Sequence, residues 1–219
     1  MLQTSLKNKP WLTYMLILLN ILVYILMTFA GGSQNALVLV TFGAKVNSLI
    51  SFGQWWRLIT AMFLHIGLEH LVLNMLTLYF MGIQIEALFG KWRFLVLYLL
   101  NGIGGNLASF AFNPSISAGA STALFGLFGA FFMLAENFKH NMYLRTYAKQ
   151  FLVLIGLNVL FGFMKNADLS GHLGGLVAGF LSAYLLGLPV KATSFLQKIL
   201  TLVTLVNFYV FLILIGLRN

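Results

Sequence analysis

Four residues of this sequence could together perform acyl transfer: Ser121, His172, His70 and Asn74. A serine hydroxyl becomes a nucleophile when an imidazole takes its proton, and the oxyanion that follows needs hydrogen-bond donors aimed at it. Ser121 and His172 supply the first pair. His70 and Asn74, four residues apart and on one face of a helix, supply donors. Positions 70, 121 and 172 stand 51 residues apart, the separation that two membrane spans and two short turns require. Taken singly, each has a plain structural reading: a helix N-cap for Ser121, a packing or proton-relay residue for His172, an interhelical hydrogen bond for His70 and Asn74. A shared depth in a membrane is what would join them.

The elements that must position these side chains follow from composition. With 60% hydrophobic and 8% charged residues, the chain has too little polar surface for a water-soluble globule, and it reads as an all-α polytopic membrane protein. Each span uses ~20 apolar residues, and the sequence predicts spans at roughly 11–31, 70–89, 92–112, 120–137, 147–165, 169–187 and 195–216. The first is too long, and lacks the small-residue cleavage site, for a signal peptide. Residues 32–69 are amphipathic and are expected to lie in the interface, with Trp55 and Trp56 at headgroup level and Arg57 pinning the loop. The absence of cysteine excludes disulfides, thiolate metal sites and a cysteine nucleophile.

Charge sets the expected orientation. Of thirteen Lys and Arg residues, nine fall on the N-terminal side of the spans and four (Lys45, Arg57, Lys165 and Arg218) on the other. The positive-inside rule then predicts a cytoplasmic N-terminus and an outer loop at 32–69. The same skew accounts for the net charge of +9 through anionic lipid, with no nucleic-acid partner required. The even-numbered spans run inward from the outer face, which places His70, Asn74, Ser121 and His172 at similar depth below it.

Local sequence refines the picture. Ser121 lies in the first turn of its helix, where backbone N–H groups have no intrahelical partner. In SGHLGGLVAGF, Gly171, Gly175 and Gly179 recur every four residues and make one helix face nearly bare backbone, suited to close helix approach. NGIGGNLASF in the third span likewise reads as close packing. Glu86 near the inner end of span two, flanked by Gly82 and Gly90, is expected to satisfy donors on a neighbouring helix, because a lone membrane carboxylate is costly. Asp168 suits a loop or a helix cap.

Five motifs carry a resemblance. GASTALFG holds a Gly-x-Ser-x pattern, GHLGG holds the histidine, HIGLEHLVLN reads His-x4-His-x3-Asn, GIQIEALFG reads Gly-x3-Glu-x3-Gly, and WWR ends in the pair Trp56–Arg57. In order and together, from residue 55 to 179, they resemble the rhomboid intramembrane serine proteases. The resemblance implies a six-helix catalytic core at 11–190, including the membrane-associated first loop at 32–69, after a short cytoplasmic N-terminus at 1–10. Residues 191–219 resemble the extra C-terminal transmembrane helix that some rhomboids append.

It also implies roles. Ser121 would be the nucleophile and His172 the general base of a dyad, with no carboxylate completing a triad. His70, Asn74 and the Ser121 N–H would form the oxyanion hole, Gly119 would let backbone approach the scissile carbonyl, and Phe125 would lie against the base. Thr122 departs from the pattern by standing where the family usually has glycine. The implied function is endoproteolysis of transmembrane segments near the extracytoplasmic face of a bacterial cell membrane, through an acyl-enzyme. Its partners are membrane-protein substrates, lipid and water, without cofactor or metal. The alternative is an inactive relative that binds client transmembrane helices. A transporter would bring internal repeats and mid-membrane charges, which the chain lacks beyond Glu86. A zinc protease would need His-Glu-x-x-His, and an aspartyl protease two membrane aspartates, whereas Asp168 is the sole aspartate.

Overall fold

The computed structural model describes residues 9–142, 144–147, 149–150, 152–153, 168–188 and 193–219, and these are almost entirely helical. The long helices are α1 (Trp11–Phe29), α5 (Leu68–Phe89), α6 (Lys91–Phe112), α7 (Ser121–Asn137), α8 (Leu169–Leu186) and α9 (Phe195–Gly216), with the short α2 (Ala36–Phe42), α3 (Asn47–Ser51) and α4 (Arg57–Thr60) in the first loop. Five of them, α1, α5, α6, α8 and α9, are long and apolar enough to cross a membrane. Their limits lie within two residues of those read from hydropathy. The expected span at 147–165 runs through residues outside those described. The 17 residues of α7 rise about 26 Å, a few ångströms short of a hydrocarbon core of ~30 Å.

Helices α6, α7 and α8 form the centre through backbone contact at glycines. A Cβ added to Gly179 would stand 1.9 Å from the Gly126 carbonyl oxygen, and one on Gly175 would stand 2.0 Å from that of Thr122. The bare glycine face read from the sequence is thus the surface on which α8 meets α7. Helix α7 is buried along most of its length, from Thr122 to Leu134. Helices α1 and α9 lie outside this centre and keep many large apolar side chains exposed, as a lipid-facing surface requires.

Glu86 shows why the Gly-x3-Glu-x3-Gly pattern is useful. Its carboxylate accepts hydrogen bonds from the backbone N–H of Leu12 and Thr13 and from the Thr13 hydroxyl. It therefore caps α1, satisfying first-turn donors and placing negative charge at the positive end of the helix. Gly82 admits Thr13, since a Cβ there would lie 2.8 Å from the threonine methyl, and Gly90 takes φ +82° where α5 turns into α6. Glu86→Ala leaves these buried donors unpaired and is expected to destabilise the fold by roughly 2–4 kcal/mol. Thermal unfolding followed by tryptophan fluorescence measures it, with Glu86→Gln, which keeps one acceptor, falling between the two.

The first loop is pinned as its sequence suggests. Arg57 donates to the carbonyls of Val40 and Ala44 and to the Gln54 side chain, while Trp55 and Trp56 stay exposed. Lys45 exchanges two backbone hydrogen bonds with Ser117 in the loop before α7. Among the described residues this bridge is the sole β pairing.

Candidate active site

Ser121 is the first residue of α7, and its hydroxyl does not cap the helix, because Ala120 holds the N-cap position. The hydroxyl is left to side-chain chemistry. Its Oγ lies 3.0 Å from Nε2 of His172, one turn into α8. The imidazole is buried, and the Phe125 ring stacks on it with centroids 4.1 Å apart and planes 7° from parallel. Phe125 sits one turn after Ser121, so a single helix carries both the hydroxyl and the surface that holds the imidazole plane.

His70 opens α5 and approaches from the opposite side. Its Nδ1 accepts, at 3.4 Å, from the backbone N–H of Ile66, so the neutral ring carries its proton on Nε2. That nitrogen overlies Gly119, where an added Cβ would stand 2.9 Å from it and 3.6 Å from Ser121 Oγ. The space above Gly119 is therefore bounded by a donor and by the candidate nucleophile. Gly119 itself has φ +145°, a left-handed geometry that favours glycine, and its N–H is held by the Ala61 carbonyl. Asn74, buried one turn below, donates one amide hydrogen to the His70 carbonyl at 2.8 Å and retains a second.

Two further side chains lie beside these groups without belonging to the reacting set. His65 is fully buried, 5.2 Å from the His70 ring, and its Nε2 accepts from the Ala120 N–H at 3.5 Å. Burial, with His70 as a neighbour, pushes its pKa down to about 3. It is thus a neutral acceptor supporting the residue before Ser121. The His-x4-His spacing contains it, but spacing does not reveal which histidine faces the site. Asp168, the N-cap of α8, does not bond the His172 ring. Its carboxylate accepts from Ser109, Ser117, Ser170 and the Gly171 N–H.

Thr122 lies against α6 and α8. Its methyl would meet a Cβ on Gly171 at 3.1 Å, and its Cβ would meet one on Gly105 at 2.6 Å. Glycine on both neighbouring helices makes room for the branched side chain. Its hydroxyl is buried and has no hydrogen-bond partner among the described residues.

A helical, polytopic membrane protein with a serine and a histidine in hydrogen-bond contact inside its core defines the class. A rhomboid domain model matches residues 52–189. The chain is 47% identical, over 97% of its length, to rhomboid protease GluP of Bacillus subtilis (strain 168), and it covers 42% of that protein. Putative rhomboid protease YdcA of the same organism is 31% identical over 84% of this chain and 92% of its own. RHOMBOID-like protein 1 of Arabidopsis thaliana is 39% identical over 68% of this chain and 39% of its own length. The chain belongs to the rhomboid family. It spans about two fifths of the length of GluP and of RHOMBOID-like protein 1.

Proposed function

We propose that this chain is an intramembrane serine endopeptidase that cleaves transmembrane segments of membrane proteins near the extracytoplasmic face. The observation that carries the proposal is the 3.0 Å contact of Ser121 Oγ with His172 Nε2, beneath a stacked Phe125. The protease names of GluP and YdcA support it. In this reading His172 accepts the hydroxyl proton as Ser121 attacks the scissile carbonyl, then returns that proton to the leaving amine. Water, activated by the same imidazole, hydrolyses the acyl-enzyme. The negative oxygen of the tetrahedral intermediate lies above Gly119, where His70 Nε2–H, the second Asn74 amide hydrogen and the Ser121 N–H donate to it. Phe125 keeps the imidazole plane turned to the serine. The pair works as a dyad, since the four acceptor contacts of Asp168 go elsewhere.

The orientation we infer has the N-terminus in the cytoplasm of a bacterial cell, with 1–10 as its short segment, 11–190 as the catalytic core and 191–219 as an added helix. Two of the four cations on the outer side are buried and hydrogen-bonded, Arg57 within the first loop and Lys45 chiefly to the carbonyls of Asn113 and Ser115 ahead of α7. This leaves the free positive charge still more one-sided, which supports the assignment. The relatives in Bacillus subtilis support a bacterial membrane.

Covalent labelling by a fluorophosphonate, with mass spectrometry to locate the adduct, tests the proposal: the label is expected on Ser121. A folded protein that takes no label would refute it. Removing donors probes the oxyanion assignment. His70→Ala and Asn74→Ala are each expected to lower kcat by ~10²-fold to 10³-fold with KM little changed, as measured on a fluorogenic transmembrane substrate in liposomes.

A further inference from the structure

Lys45 and Asp168 are charged groups outside the reacting set, yet both are tied to the chain segments that carry it. Lys45 is fully buried. Its Nζ donates to the carbonyls of Asn113 at 2.7 Å and Ser115 at 2.8 Å, to the side chain of Asn47 at 3.0 Å, and more weakly to the Ser109 carbonyl at 3.4 Å. Its backbone is paired with Ser117 on both sides. The ammonium thus replaces water with carbonyl oxygens of the loop 113–120, which leads directly into Ser121. Burial lowers its pKa to about 8, opposed by attraction to Asp168, so it remains a cation at neutral pH.

Asp168 grips the same loop from the other side. One carboxylate oxygen accepts from Ser109 on α6 and Ser117 in the loop, and the other accepts from Ser170 and the Gly171 N–H in the first turn of α8. Burial alone would raise its pKa; these four donors more than reverse that, and the carboxyl is held below its ordinary value. Ser109 links the two charges, offering its carbonyl to Lys45 and its hydroxyl to Asp168. The loop ahead of the serine and the helix end ahead of the histidine are therefore held by one oppositely charged set.

We infer that Lys45 and Asp168 are positioning residues, a frame of one buried and one half-buried charge that fixes the loop 113–120 against the first turn of α8 and so sets the Ser121–His172 separation. The inference rests on the serine-protease reading for its catalytic consequence, but not for its geometry. Misplacing reacting groups by about 1 Å costs ~10²-fold in rate. Lys45→Met and Asp168→Ala are therefore expected to slow fluorophosphonate labelling and kcat by ~10-fold to 100-fold, with KM held. Asp168→Asn should stay within ~3-fold of wild type, because its carbonyl still accepts from Gly171 and the serine hydroxyls can reverse to meet its amide. Ser117→Ala removes one arm of the frame without emptying a buried site, and a loss of several-fold is expected even if Asp168→Ala does not fold.

The chain has no cysteine, so nitroxides at Ile116→Cys and Val177→Cys report the loop-to-helix distance independently of chemistry. That distance distribution should broaden in Lys45→Met, Asp168→Ala and Ser117→Ala and remain narrow in Asp168→Asn. Unchanged distributions in the folded variants would overturn the frame, whether or not the wild type labels. Asp168→Asn as slow as Asp168→Ala, with distances unchanged, would also overturn it and make the carboxylate an electrostatic partner of His172. Broadened distances in a protein that never labels would keep the frame and remove the protease reading.

Discussion

Ser121→Ala and His172→Ala are each expected to reduce cleavage of a transmembrane substrate by on the order of 10⁴-fold or more, with the helical fold intact. The serine variant loses the atom that forms the acyl-enzyme, and the histidine variant keeps it but leaves its proton without an acceptor at 3.0 Å. Because the two act as one unit, the double variant should be scarcely slower than either single one. Steady-state cleavage in proteoliposomes, with circular dichroism to verify folding, measures all three. Independent losses that multiply in the double variant would mean that the groups do not share a step. Phe125→Ala should fall between: the base is present but less well aligned, and kcat drops while KM holds.

Gly179→Ala is expected to produce the largest structural effect of an added methyl group among the described glycines. The added Cβ would meet the oxygen, carbon and Cα of Gly126 at 1.9, 2.4 and 2.5 Å. All three are backbone atoms, so no rotamer change relieves the clash. Helices α7 and α8 must separate, at a cost of roughly 1–3 kcal/mol or more, and their separation draws His172 away from Ser121. Thermal stability and cleavage rate should therefore fall together. Val177→Ala, on an exposed face of α8, is the matched control and should change neither. A Gly179→Ala protein with wild-type stability and turnover would show that α8 does not need backbone contact with α7.

The helices were legible in the sequence because a bilayer imposes a length and a composition on every span, and no tertiary detail is needed to see either. The meeting of Ser121 with His172 was legible from parity, since the chain returns to the same face after every second span. The glycines of α8 were legible as a face, but their partners were not: that Gly179 meets Gly126, and Gly175 meets Thr122, depends on the relative register of two helices. Lys45 was hidden for another reason, and for Asp168 the helix cap was legible but its grip on the loop 113–120 was not. Lys45 lies 68 and 70 residues from the carbonyls of Asn113 and Ser115 that it caps, and hydropathy marks such a residue as a loop charge facing water. Only contact reveals that a cation is buried to organise backbone. His65 was in view within its motif, yet the role of an acceptor for a single N–H leaves no periodic trace.

The stacking of Phe125 on His172 has a mechanical implication. Because the ring and the hydroxyl ride on the same rigid rod one turn apart, a slide or tilt of that rod shifts target and guide in concert. The aromatic guide therefore holds the angle of the imidazole, while its distance from the hydroxyl is left to the glycine contacts between α7 and α8.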